Sequence, residues 1–159
     1  NKDDREQQLQ DQLLSDLAVT DLPTYAAASY FRLGDNRFYV PVSVLVPGSQ
    51  LPFSKTTGRS KATVDVLGMV RDAQQRVVGR IRDTVRLAPD SVDALKTKLV
   101  QYQTGLEMTP GTYSLKVVVR ENQDGTFGAY ETTFTVPDVK AGTLHMSSVV
   151  LGTLSLIHI

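Results

Sequence analysis

Tyr113–Val136 reads YSLKVVVRENQDGTFGAYETTFTV. Tyr113, Leu115, Val117 and Val119 recur with a period of two. Asn122-Gln123-Asp124-Gly125 carries residues that turn a chain, and Tyr130, Phe134 and Val136 return on the same period. The stretch predicts an antiparallel hairpin. It decides the fold class because the period recurs upstream. Phe38, Val40, Val42, Val44 and Val46 alternate through 37–46. Val64, Val66 and Val70 share one face of 61–71, and Val77, Ile81, Val85 and Leu87 oppose Arg80, Arg82, Thr84 and Arg86.

Turn chemistry separates these runs. Gly34-Asp35-Asn36 links a strand over 24–33 to the one over 37–46 as a hairpin, and residues 72–76 link 61–71 to 77–87. Pro41 has no amide to give a ladder, which places it at a sheet edge or a bulge. Residues 47–60, polar and rich in Pro, Gly and Ser, read as a long mobile loop. Residues 89–94 read as a helical turn or loop, with weaker strands over 98–106 and 144–151. Tyr113, after Pro110-Gly111-Thr112, is either a corner tyrosine bonded to nearby backbone or a core-facing ring.

Ahead of the strands, Leu9, Leu13, Leu14 and Leu17 recur at helical spacing among polar residues, with Asp3, Asp4 and Glu6 in the favourable first turn. One short amphipathic helix is expected over 3–17, ended by Pro23. About eight short strands without interleaved helices predict an all-β chain, an antiparallel immunoglobulin/fibronectin III-like β-sandwich with a short N-terminal helix. The expected organisation is a linker helix and connector over 1–23 and the sandwich over 24–153.

The last six residues, LSLIHI (154–159), back-translate to CTG TCT CTT ATA CAC ATC, a transposon end used in sequencing-library preparation. They are read as a non-native, adapter-derived tail, although their alternation also fits a natural strand. Asn1 is no initiator methionine and no signal-like segment follows, so the reading expects an internal start with any signal peptide upstream.

The 159 residues are 41% hydrophobic and 21% charged, enough for a self-supporting core, and 17 basic residues balance 17 acidic ones. No net field points to nucleic acid or an anionic membrane, and no run approaches the roughly 20 apolar residues of a span. The absence of cysteine removes thiolate nucleophiles, zinc-thiolate sites and disulfides. Outside the tail, His145 is the one histidine available as a catalytic base, and no Gly-x-Ser-x-Gly elbow accompanies it. Phosphate-loop, dinucleotide, zincin and calcium-loop patterns are missing. Asp65, Asp83, Glu121 and Glu131 have basic neighbours and read as solvated cross-strand ion pairs before they read as a glycosidase pair. Arg80, Arg82 and Arg86, joined by Lys116 and Arg120 if their strands are neighbours, read as a solvated sheet face or a domain contact. The residues therefore predict no enzyme and no catalytic, cofactor-binding or metal residue.

Nine stretches in order, DREQQL (4–9), TDLP (20–23), ASYFRL (28–33), NRFYVPVS (36–43), VPGS (46–49), VVGRIRDTV (77–85), VQYQTG (100–105), VVRENQ (118–123) and MSSVVL (146–151), resemble one bacterial family. They are similar to the region after the von Willebrand factor type A domain in secreted VWFA-related proteins, over almost all of residues 3–153. The resemblance implies an extracytoplasmic chain, secreted or in the cell envelope. It implies a type A domain upstream and further β-rich sequence downstream. The metal-ion-dependent adhesion motif belongs to the type A domain and has no counterpart here, so no metal residue is carried over. The expected function is a non-catalytic spacer or protein-docking sandwich, with the neighbouring domains as first partners and neither nucleic acid nor membrane insertion. The alternative is a carbohydrate-binding or hydrolytic module whose site is the 47–60 loop around Phe53. Exposure of Phe53 favours that alternative, and burial favours the spacer. Self-assembly through an unprotected edge strand is a third reading.

Overall fold

The computed structural model describes residues 4–5, 7–8, 10–11, 21–56, 59–89, 91–138 and 154–157. In chain order the strands are β1 (Tyr25–Ala28), β2 (Phe31–Gly34), β3 (Arg37–Pro47), β4 (Ser54–Thr56), β5 (Arg59–Arg71), β6 (Val77–Leu87), β7 (Leu99–Met108), β8 (Gly111–Glu121), β9 (Phe127–Val136) and β10 (Leu154–Ile157). A 3-10 turn, Gly48–Gln50, follows β3, and one helical turn, α1 (Val92–Lys96), precedes β7. Two five-stranded sheets result. One runs β1–β3–β7–β10 with β2 also on β3, and the other runs β4–β5–β8–β9 with β6 also on β5. All pairs are antiparallel except β10 on β7.

Alternation decides which side chains fill the space between the sheets. Val40, Val42 and Val44 of β3 face Val66 and Val70 of β5, Ile81 and Val85 of β6, and Leu115, Val117 and Val119 of β8 in one cluster. Each such side chain, fully withdrawn from water, contributes about 1.5–3 kcal/mol before entropy is charged against it. Gly68 occupies a core position of β5 because a Cβ there would stand 3.1 Å from the Ile81 side chain. The outward face of β5 and β8 carries a second, smaller buried group, Leu67, Met69 and Val118, under Phe127 and Ala129.

The deciding hairpin forms as its sequence predicts. Tyr113 opposes Phe134 and Val117 opposes Tyr130, and Gly125 supplies the positive φ, +78°, that the turn needs. Asn36 does the same between β2 and β3 with φ 56°.

Several expectations are corrected. Pro41 lies in a central strand, and β3 pairs with β7 in unbroken register through Pro41↔Gly105. The interruption falls instead in its neighbour, the edge strand split into β1 and β2. The Pro41 carbonyl accepts from the Ser29 amide at 3.1 Å. A residue's N and O point to the same side of an antiparallel strand, so the missing proline donor faces that break. The 47–60 segment is not one long loop, for it holds the 3-10 turn, β4 and the first residues of β5. Val77, expected inward, is exposed, because the β5–β6 register slips between Val70↔Gly79 and Arg71↔Val77.

Of the expected N-terminal helix, residues 4, 5, 7, 8, 10 and 11 are helical, and Gln7 Nε2 donates to Asp11 Oδ1 at 3.0 Å. Its apolar positions Leu9, Leu13, Leu14 and Leu17 lie outside the described residues, as do the 144–151 strand and His145. Leu22, on the connector side of the boundary expected at residue 24, is in the core, and its amide donates to Phe127 O at 2.8 Å.

Candidate functional site

The carboxylates come first, because a hydrolytic site needs two of them free and facing each other. Glu121, at the end of β8, is 1% exposed. It is not a solvated ion pair but the organiser of the β8–β9 turn. Its two oxygens accept the amides of Gln123, Asp124 and Thr126 and the Thr126 hydroxyl, at 2.8–3.2 Å. Burial opposes its ionisation, but the turn amides outweigh burial and hold its carboxyl below the usual range. Asp65 is buried on the outward face of β5 and accepts the Thr84 hydroxyl at 2.8 Å. Asp83 takes the Tyr102 hydroxyl at 3.2 Å, closing one side of the sandwich from β7 to β6. Burial, and then the Asp83 charge, push that phenol above its ordinary range. An inward carboxylate on an edge strand also discourages a further strand from pairing there.

The basic residues do not form one row. β6 and β8 flank β5, so Met69 lies between Arg80 and Lys116, and Leu67 between Arg82 and Val118. The row through Arg80, Met69 and Lys116 ends on Glu131 of β9. Arg120 is turned to the hairpin, donating to Asn122 Oδ1 and standing 5.8 Å over the Phe127 ring. Among the described residues no three of His, Cys, Asp and Glu gather as metal ligands, and no helix is long and apolar enough to cross a membrane.

Tyr113 resolves both of its readings at once. The ring is buried, and its hydroxyl donates to the Thr109 carbonyl at 2.6 Å across the β7–β8 corner. Phe53, the pivot of the loop-site alternative, is half-buried against the main core, beside buried Leu51.

One concavity was not foreseen from the sequence. A groove of about 480 Å³ opens beside the β1/β2 break, between the edge of the first sheet and β9. It is lined by Tyr25 and Phe31, by the small residues Ala27, Ser29 and Ser43, and by Gln103 and Thr132. Among the described residues, none that lines it is charged. Phe31 is 53% exposed and Tyr25 44%. The Tyr25 ring is tilted against Tyr130 with centroids 4.9 Å apart, which fixes that wall. The lining comes from residues 25–29, 31, 41, 43, 103 and 132–134, and no local spacing announces such a set.

No family model matches the chain, and no curated protein matches it. Solved structures do. The structural-genomics target SoR45 aligns with 86% of this chain and 99% of its own, at 12% identity and a TM-score of 0.42. The putative ApaA protein from Bordetella pertussis aligns with 76% of this chain and 96% of its own, at 13% identity and a TM-score of 0.44. A glycosyl hydrolase family 2 member from Bacteroides cellulosilyticus aligns with 74% of this chain and 15% of its own, at 14% identity and a TM-score of 0.47. These likenesses carry no argument about function.

Proposed function

We propose that this chain is a non-catalytic accessory sandwich of the immunoglobulin/fibronectin III type, a spacer or protein-docking module of an exported VWFA-related protein. The reading includes the N-terminal helix as the link to a type A domain. The observation that carries it is where the acids go. Glu121, Asp65 and Asp83, three carboxylates placed on the strands, are each bonded to a turn, a threonine or a tyrosine of the fold itself. The fold itself accounts for these carboxylates, which supports the reading.

The sandwich type is supported by strand order. β1/β2, β3 and β7 oppose β6, β5, β8 and β9, which corresponds to A–B–E against C′–C–F–G. Tyr113 stands at the start of the strand equivalent to F, where such domains carry a corner tyrosine.

The test is recovery of the reading frame from source DNA by a method without transposon ends. A frame with an export signal and an upstream type A domain carrying Asp-x-Ser-x-Ser is expected. A frame with no type A domain overturns the reading.

A further inference from the structure

We propose that the groove beside the β1/β2 break binds a neutral carbohydrate. The inference goes beyond the spacer reading and does not depend on it. Its starting point is Pro41, whose missing amide leaves the edge strand broken after Ala28. A continuous strand would carry side chains and ladder bonds across this place; the break leaves a hollow of about 480 Å³, within the range of small-ligand sites.

The lining selects the ligand class. Among the described residues the lining holds no Lys, Arg, Asp or Glu, so these walls offer nothing to neutralise a phosphate, a carboxylate or a cation. It offers instead two exposed aromatic side chains and a set of neutral hydrogen-bonding groups. Ring faces carry negative charge density and attract the C–H face of a pyranose. The Ser43 hydroxyl accepts the Gln101 amide at 3.1 Å and the Gln103 amide at 3.4 Å. Its own proton is left to donate, and the Gln103 carbonyl is left to accept. Thr132 adds a further hydroxyl from β9. Donors and acceptors at the side of an aromatic wall match a ring that has hydroxyls on its rim and C–H groups on its face. A purely apolar ligand would leave Ser43 and Gln103 unanswered, at a cost.

Affinity electrophoresis of the chain through gels containing a neutral glucan, mannan, xylan or galactan tests this. At least one polysaccharide is expected to retard the chain, and retardation is expected to persist from about 0.05 to 0.5 M salt because no charge takes part. Phe31→Ala, at an exposed position, is expected to weaken binding about tenfold or more with an unchanged melting temperature. Gln103→Ala, also exposed, is expected to weaken it without unfolding and serves as the second variant. The proposal is overturned by the absence of retardation in all four gels, by loss of retardation at high salt, or by retardation that both variants retain. Capture of extended peptides from a display library without any retardation would assign the groove to a peptide and also overturn it.

Discussion

Glu121 is the most buried acid among the described residues, and its oxygens are taken up by the fold. Five contacts from a four-residue span converge on its carboxylate, so the charge is answered by the turn it organises. Glu121→Gln keeps the shape but replaces one acceptor oxygen by a donor facing other donors. A loss of about 2 kcal/mol at neutral pH is expected. The pH dependence has a definite sign. The folded carboxyl ionises below its ordinary value of 4.5, so its stabilisation is complete above that value and drains away as pH falls through the folded value. Thermal melts of both proteins at about pH 7 and about pH 3 are expected to show a gap that narrows in acid. An equal gap at both would mean that the charge contributes nothing. Val117 and Arg82 test the two faces of the second sheet. Val117 is fully buried, so Val117→Asp places an unpaired charge in the core and is expected to cost about 3 kcal/mol or more, a large fraction of a domain's ordinary stability. Arg82→Ala, at an exposed position, is expected to stay within about 0.5 kcal/mol. Equal midpoints in urea would refute the assignment of faces.

At the scale of elements, the approach of the chain at Leu22–Thr24 to β9 leaves no room for added volume. A Cβ on Gly128 would stand 2.0 Å from both the Leu22 carbonyl and the Thr24 hydroxyl. Backbone cannot yield there as a flexible side chain would. Gly128→Ala is therefore expected to lift this segment, expose Leu22, and cost about 2 kcal/mol or more. Hydrogen exchange would report it directly, as lost protection of the Leu22 amide that Phe127 O now accepts. Retained protection with an unchanged midpoint would show that the segment is not held there. What the sequence made legible follows from how local each signal is. The β8–β9 hairpin was readable because alternation and turn residues are adjacent in the chain. The place of Pro41 was not, because it depends on which strands arrive beside β3 from residues 25–34 and 99–108. β4 was hidden because Ser54–Thr56 has no apolar alternation and pairs with Arg59–Lys61 over only three residues. The groove was hidden for the same reason as Pro41, since its walls meet only after both sheets are assembled.

For the whole molecule, the open question at the edge of the first sheet is what residues 154–159 contribute. Residues 154–157 run parallel to β7, Leu154 opposite Leu99 through Ile157 opposite Tyr102. That is four residues of parallel pairing against ten of antiparallel pairing between β3 and β7. The Val100 and Tyr102 side chains belong to the core that β3, β5, β6 and β8 enclose from the other side. Pairing of this length at an edge adds little beyond the entropy lost in ordering it. Deleting 154–159 is therefore expected to leave the melting temperature within about 2 °C, read by differential scanning calorimetry. The same deletion bares the Leu99–Tyr102 edge of β7, LVQY, which contains no charged residue and no proline. Those are the residues that commonly discourage edge pairing, so light scattering on the shortened chain is expected to show mass rising with concentration. A fall of several degrees in the midpoint would instead make residues 154–157 an integral strand of the first sheet. A constant monomer mass would show that the β7 edge is guarded by something other than its own sequence.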